Sequence, residues 1–428
     1  MDKEDDYIPR LVDREIKEKL RSFGAINIKG CKWCGKTKTA KHFAKSFIEL
    51  QNPENSSLIP LIKSQPSLAL KGETPRLIDE WQDAKEIWDA VRYDVDDSSK
   101  LGKYILTGSA TPRKEDAPKH SGAGRIATVT MRPMSLFESG DSSGEISLSS
   151  LFKKKKSTFF GVSNYKLEDI ARLCSRGGWP TSVIHKTKNP LLLPREYLVA
   201  IINREESFGE LEYYSAGRMK ALLRSLARNT ATPIKISTTV ADIKENTGTS
   251  ISNVTLANYL SVLEQIHLID EVEAWCPRLR SKTEIRTTKK RFFVDPSLAV
   301  ASLYASENDL LADPNTFGFI FETMVLRDLK TYAGAIDGEL LYYRDSNGLE
   351  ADAIIHLANG QWGAIEIKLG SDKDTIDQAA SDLISLSELI DDKKMPAPSF
   401  LLIISGDASY AYRREDGVYV APVGCLRD

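Results

Sequence analysis

Apolar residues recur along this chain in two rhythms, and each marks a different kind of element. Solid runs come early: Ala25-Ile26-Asn27-Ile28, Leu77-Ile78 and Tyr104-Ile105-Leu106 read as short strands. Helical spacing lies around them. Ile16, Leu20 and Phe23 predict a leading helix within 7–23, and Ile87, Trp88 and Val91 predict another over 83–94. Ala40, Phe43, Ala44, Phe47 and Ile48 share one helical face, which predicts a helix directly after residue 37. Leu58-Ile59-Pro60-Leu61-Ile62 reads as a further strand, at an edge or irregular because proline donates no ladder hydrogen bond.

The middle of the chain is helical. Leu222, Leu223 and Leu226 make the inner face of a helix over 219–228. A short helix over 239–245, a turn at Asn246-Thr247-Gly248-Thr249 and a longer helix over 252–265 form a helix-turn-helix. The second of these helices offers Ser252, Asn253, Thr255 and Asn258 but no Lys or Arg, weak equipment for entering a DNA groove. From about 292 the rhythm changes again. A helix over 317–330 precedes strands over 341–344, 350–355 and 362–368, with Asn347-Gly348 as a hairpin turn.

Chemistry concentrates at the seam between the first strand and the helix after it. Gly30-Cys31-Lys32-Trp33-Cys34-Gly35-Lys36-Thr37 matches G-x-x-x-x-G-K-[ST]. In such a loop, glycines let successive N–H groups curl around phosphate, the lysine reaches the β/γ oxygens and the threonine hydroxyl meets Mg²⁺. Residues 30–37 with Lys38 are therefore the candidate ATP-binding set. A strand ending in Asp79-Glu80 follows. Asp79 is the candidate second protein ligand to Mg²⁺, and Glu80 the candidate group that activates water. Thr107 or Ser109, at the end of the next strand, is the candidate γ-phosphate sensor. Arg125, in Gly124-Arg125-Ile126, is the candidate charge-neutralising arginine, with an ordinary surface arginine as the competing reading.

Bulk composition narrows the class. A formal net charge of −2 over 428 residues excludes a global basic field, so any nucleic-acid surface must be local. Such a stretch exists: Arg278, Arg280, Lys282, Arg286, Lys289, Lys290 and Arg291 are opposed only by Glu284. It reads as a basic wing able to contact DNA or RNA backbone, or as a solvated hairpin. No apolar run approaches the ~20 residues of a membrane span. The acidic start, Met1-Asp2-Lys3-Glu4-Asp5-Asp6, is unlike a secretory signal, and the expectation is a cytoplasmic protein. The five cysteines are scattered and make no disulfide framework. Cys31 and Cys34 have redox-motif spacing but occupy the variable positions of the loop, which favours incidental cysteines.

A second constellation lies near the end. Asp352 is on one strand, and Glu366-x-Lys368 is on the next. Alternation puts Glu366 and Lys368 on one face. Asp352 and Glu366 could hold a hard divalent metal, with Lys368 orienting water and Glu322 adding a ligand from the preceding helix. A plain antiparallel hairpin with solvated polar faces is the competing reading.

With these residues in view, the chain resembles the bacterial and archaeal family of AAA-type ATPases that carry a C-terminal, nuclease-like domain of unknown function. The resemblance rests on Tyr7-Ile8-Pro9-Arg10, the glycine loop, Leu77 to Gln82, Leu106 to Ser109, Gly124-Arg125-Ile126 and Pro133-Met134-Ser135-Leu136. In the second half it rests on Leu223 to Asn229, Phe293-Val294-Asp295-Pro296-Ser297 and the segment 352–368. It implies an α/β fold: a P-loop NTPase of AAA type with a parallel sheet over 1–185, a helical winged-helix domain over 186–277, and a PD-(D/E)xK nuclease-like α/β domain over 278–428. ATP and Mg²⁺ are the implied cofactors. The leading functional reading is an ATPase that couples hydrolysis to conformational change of the later domains, with nucleic acid as a partner. An ATP-regulated, metal-dependent nuclease is the first alternative. A nucleotide-switched module that binds a protein partner is the second. At this point an oligomer, with Arg125 serving its own or a neighbouring subunit, stays open.

Overall fold

The computed structural model describes residues 7–109, 120–153, 159–185, 188–203, 215–277, 288–390 and 395–428. They divide into two compact units: Met1–Pro133 with Leu263–Leu268, and Met134–Val262 with Ile269–Asp428.

The first unit is built on five strands: β1 (Ala25–Lys29), β2 (Ser46–Glu49), β3 (Arg76–Asp79), β4 (Tyr104–Gly108) and β5 (Ile126–Thr130). All pair in parallel, in the order β2-β3-β4-β1-β5. Helices flank the sheet, and Ile87, Trp88 and Val91 of the helix Glu86–Ser98 join Ile78 and Leu106 in one core. Strands buried like this need no alternation of apolar and polar positions, which is why β3 and β4 read as solid runs.

Two predicted elements differ. The helix after the glycine loop is short, Lys36–Phe43, and Phe47 and Ile48 belong instead to β2, opposite Leu77 and Ile78 of β3. The run at 58–62 is not a strand but the helix Leu58–Ser64. Pro60 falls in its first turn, where the N–H groups have no partner within the helix, so proline costs no hydrogen bond there.

The second unit contains an eight-stranded mixed sheet. After the short strand β6 (Ile146–Ser147), its strands are β7 (Ile269–Ala274), β8 (Lys290–Phe293), β9 (Gly338–Arg344), β10 (Glu350–Leu357), β11 (Trp362–Lys368), β12 (Leu401–Ser405), β13 (Tyr412–Arg413) and β14 (Tyr419–Pro422). The order is β13-β14-β12-β11-β10-β9-β7-β8. β9, β10 and β11 form an antiparallel meander. The helix Lys373–Leu389 then crosses over to β12, which runs parallel to β11. Trp362, Ile354 and Ile403 of the sheet pack with Ile376, Ala380 and Leu383 of that helix.

Two boundaries expected from the sequence fall inside this unit. The segment after Pro133 is tied to later elements by a buried charge network. Arg327 donates to Asp295 (2.9 Å) and Asp328 (2.8 Å). Asp328 accepts the Leu136 N–H at 3.0 Å, and Asp295 accepts the Gly178 N–H at 2.8 Å. The first unit therefore closes at Pro133, well before 185. Near 277, β7 pairs with β9 through Glu273 and Ala274, so the helical region and the later strands share one sheet.

Candidate functional site

The parallel register lines up the carboxyl ends of β1, β3 and β4, where ligands of such sheets bind. Asp79 lies opposite Thr107, and Lys29 opposite Gly108. After Lys29 the chain turns through Gly30, where a Cβ would lie 2.2 Å from the Met131 carbonyl oxygen. Gly35 adopts φ +103° to start the helix Lys36–Phe43, whose first N–H groups face the loop. Lys36 folds back across the loop, and its Nζ donates to the carbonyls of Gly30 (3.0 Å) and Cys31 (2.8 Å). Lys32, Trp33 and Lys38 belong to the same loop and helix start; Trp33 takes a left-handed φ of 64° and is exposed.

Two elements converge on Asp79 at the end of β3. Thr37 Oγ1 donates to its two oxygens at 3.1 and 3.2 Å, and the fully buried Thr107 hydroxyl donates to Oδ1. Burial pushes the Asp79 carboxyl up, helped by the neighbouring Glu80 and opposed by the two threonine hydrogen bonds. Glu80 itself sits in the left-handed region at φ 56°. An unfavourable backbone in a non-glycine residue persists only where its surroundings hold it, and such residues cluster at functional sites. Here Ser109 holds it, with Oγ on Oε1 at 2.5 Å and the backbone N–H on Oε2 at 3.1 Å, and the Gln82 side-chain amide donates to Oε2. The two sensor candidates thus divide the work: Thr107 orients Asp79 and Ser109 orients Glu80. A threonine hydroxyl and one carboxylate form a hard-oxygen pair suited to Mg²⁺ bound together with substrate phosphates.

Cys31 and Cys34 are both buried in the loop. A hydrogen bond from Cys31 draws the Cys34 thiol down to about 6 against the effect of burial, aided by Lys36 and Arg10.

Arg125 is not brought to this site within the chain. It directly precedes β5, whose Ile126 pairs with Ala25, the first residue of β1. The loop begins at the other end of β1, roughly 17 Å away at ~3.3 Å per residue. The guanidinium pairs with Asp96 at 2.6 Å and is about half exposed.

The second constellation does assemble, with one addition. Asp352 and Glu366 flank the cross-strand pair Ala353–Ile365. Lys368 Nζ lies 2.5 Å from Glu366 and 3.6 Å from Asp352, and the Ile367 N–H donates to Asp352 at 2.9 Å. Glu322 approaches from the helix Pro314–Ala335, but its partner is Lys290, 2.7 Å away at the start of β8. Burial pushes Glu322 up to about 8, with Lys290 opposing. Glu366 is pushed well above the carboxylate range by burial and by Asp352. Burial would raise Asp352 too, but Lys290 and Lys368 outweigh it and hold that carboxyl low. Among the described residues, no group of three or more His, Cys, Asp or Glu side chains is arranged to hold a metal ion.

Of the basic stretch, residues 278–287 lie outside the described residues, and with them Arg278, Arg280, Lys282 and Arg286. The other three are matched internally. Lys289 pairs with Glu271 and Glu273, Arg291 pairs with Glu271, and Lys290 is buried.

Family comparison matches residues 22–139 to an AAA domain. Residues 167–309 match a domain of unknown function, DUF8612, and residues 317–426 match another, DUF4143. The first match spans the glycine loop, Asp79-Glu80 and Thr107. The N-terminal part is an AAA domain, and two domains of unknown function follow it. No curated protein matches the chain. Among solved structures, a Walker-type ATPase of Pyrococcus abyssi is 16% identical over 70% of this chain and 97% of that one, with a TM-score of 0.43. AMPPCP-bound DnaA from Aquifex aeolicus is 14% identical over 60% and 87%, with a TM-score of 0.29. The Aeropyrum pernix ORC1 protein in complex with DNA is 13% identical over 72% and 95%, with a TM-score of 0.23. No helix among the described residues is long and apolar enough to cross a membrane.

Some supports of the AAA site were not evident in the sequence. Arg10 donates to the Cys34 carbonyl at 2.9 Å and the Arg132 carbonyl at 2.8 Å, bracing the loop from outside its motif. Tyr7 stacks on His42 with ring centroids 4.2 Å apart and donates to Asp13 at 2.6 Å. Both lie in the stretch Tyr7-Ile8-Pro9-Arg10, so the signal was present without its meaning. Gln82, two residues beyond Glu80, is a third.

Proposed function

We propose that this chain is a Mg²⁺-dependent ATPase whose AAA domain drives conformational change in a winged-helix region and a PD-(D/E)xK nuclease-like domain. The observation that carries the ATPase reading is the convergence of Thr37 and Thr107 on Asp79, beside a Glu80 clamped by Ser109. In this reading the loop N–H groups and Lys36 bind the phosphates, while Thr37 and Asp79 hold Mg²⁺. The metal would supply charge neutralisation at the β- and γ-phosphates. Glu80 Oε orients the attacking water and takes its proton, and the Ser109 and Gln82 hydrogen bonds fix the direction of that carboxylate. Lys36→Ala should reduce phosphate release by ~10²–10³-fold or more, since it removes a donor aimed at developing charge. A variant as active as the native chain would refute the assignment.

The helices Ile236–Thr247 and Asn253–Gln265, followed by the β7–β8 hairpin, support the winged-helix reading. The αβββαβ succession from Pro314 to Ser405, with Asp352 and Glu366-x-Lys368 on adjacent strands, supports the nuclease-like fold. The macromolecule acted on is the less supported half. Internal pairing of Lys289 and Arg291, together with the absence of Lys and Arg from Asn253–Gln265, favours a second reading in which the nucleotide switches binding of a protein partner. Measuring ATP turnover with and without DNA and RNA separates the two. Stimulation by either polymer supports action on nucleic acid, while an unchanged rate with a co-purifying protein supports the switch.

A further inference from the structure

The carboxylate cluster of the second unit already holds a cation. Lys290 is almost completely buried, and its ammonium is surrounded by oxygen. Glu322 Oε1 lies 2.7 Å away, the Asp352 backbone carbonyl 3.4 Å, Asp352 Oδ1 3.6 Å and Glu350 Oε1 3.8 Å. The Tyr342 ring closes another side, with its centroid 5.6 Å from Nζ. A second ammonium, on Lys368, covers the opposite oxygens of the same group, at Glu366 Oε2 and Asp352 Oδ2.

A divalent metal bridging Glu322, Asp352 and Glu366 would need their oxygens at about 2.0–2.6 Å from its own centre. The Lys290 ammonium stands between Glu322 and Asp352, so both cations cannot be there at once. The metal implied by a nuclease-like fold therefore does not fit these residues as they are arranged. We propose that Lys290 is the resident cation of this cluster, standing in place of a divalent metal, and that the group is a closed charge network rather than a nuclease centre. The ammonium is covalently part of β8, so it cannot leave by dissociation; it would vacate the position only by swinging out of the cluster or by withdrawal of the strand start. The same observation assigns Lys290 a place in the interior, although it belongs to a stretch that reads as a basic surface.

The test uses the full chain without nucleotide, titrated with Mn²⁺ and followed by the electron paramagnetic resonance of the free ion. Native protein and Asp352→Asn are expected to bind the same number of Mn²⁺ ions. Lys290→Met, which keeps the length of the side chain and removes its charge, is expected to gain one bound Mn²⁺ that Lys290→Met/Asp352→Asn lacks. Loss of a bound Mn²⁺ on Asp352→Asn in the otherwise native chain would overturn the proposal. So would Mn²⁺-dependent cleavage of single- or double-stranded DNA that Asp352→Asn abolishes. If Lys290→Met does not fold, thermal melting of the native chain decides the matter. A metal held only by the folded state raises the melting temperature by mass action. A rise with Mn²⁺ that Asp352→Asn erases contradicts the proposal, and equal responses of the two proteins support it. None of these readings depends on ATP turnover, so the proposal stands or falls separately from the ATPase assignment.

Discussion

Lys36 and Lys290 are both buried lysines beside acidic residues, and they face opposite situations. Lys36 lies across its loop on two backbone carbonyls, while Asp79 and Glu80 are held by hydroxyls and amides. Lys290 lies on carboxylates, and those carboxylates have a second lysine on their other side. Carbonyl dipoles orient an ammonium without cancelling its charge, so Lys36 stays suited to an anion such as phosphate. Around Lys290 the charges are met within the protein, and a ligand of either sign would first have to break an ion pair. The same residue types thus make a site poised for a ligand in one unit and a satisfied interior in the other.

The sharpest way to press this contrast is to disarm the first site without disturbing its binding surface. Glu80→Gln keeps the size of the side chain and a hydrogen-bonding partner for Ser109 but removes the base. Its expected effect is a ~10²–10⁴-fold fall in kcat, the usual range for a general base. Steady-state phosphate release and ATP binding, measured on one preparation, check it. ATP affinity should stay within a few-fold of native, whereas a large loss of affinity with unchanged kcat would reassign Glu80 to binding.

Stability should show the reverse order. Lys290→Met removes the buried ammonium shared by Glu322 and Asp352, leaving Lys368 as the cation beside Asp352, and breaking such a buried pair costs about 3–5 kcal/mol. Lys36→Met leaves the buried carbonyls of Gly30 and Cys31 without their donor, at a cost of about 1–3 kcal/mol. Urea denaturation followed by tryptophan fluorescence compares the two variants. Equal losses would mean that Lys36 is as deeply built into its surroundings as Lys290, and the contrast would fail.

How far this could be read in advance depended on the distance over which each signal acts. The grouping of Lys36, Thr37, Asp79 and Glu80 was legible because a strand–loop–helix motif and a strand ending in Asp-Glu are local patterns with a physical meaning. The role of Lys290 was not. It precedes Asp352 by 62 residues and sits in a run of basic residues that looks solvated, so nothing near it in sequence announces burial. β2 was hidden for a related reason: Phe47 and Ile48 continue the helical spacing of Ala40 and Ala44, and only pairing with Leu77 and Ile78 makes them a strand. The first compact unit ends at Pro133 while the sequence suggests a domain end near 185, and the network joining Leu136 and Gly178 to Asp295, Arg327 and Asp328 across up to 192 residues leaves no local signal.

Acidity gives an effect on the same comparison that builds up gradually with pH. Glu322 is raised from 4.5 to about 8, so the folded state keeps a proton that the unfolded state releases. The stability this contributes is fully present below about 4.5 and is lost as pH rises towards 8, by up to ~1.4 kcal/mol per pH unit for one proton. Glu322→Gln has no such proton to lose. Melting temperatures of the two proteins should converge at the acidic end and separate as pH rises to about 8, with the native chain the less stable there. A constant difference across that range would mean that Glu322 is ionised throughout.

The smallest expected change tests the edge of the first site. Arg125 stands at the amino end of β5, paired with Asp96, while the loop is at the carboxyl end of β1. If ATP turnover uses only groups of the same chain, Arg125→Ala removes one half-exposed ion pair. Such a pair is worth about 0.2–1 kcal/mol of stability, and kcat should stay within a few-fold of native. An arginine that reaches the γ-phosphate from a neighbouring subunit contributes 10³–10⁵-fold. Assaying the variant over a range of protein concentrations separates the two cases, because a contribution from a neighbour rises with assembly and one from the same chain does not. A large loss at high concentration would make the nucleotide site shared between subunits, and the contrast with the self-contained Lys290 cluster would then extend to how each site is completed.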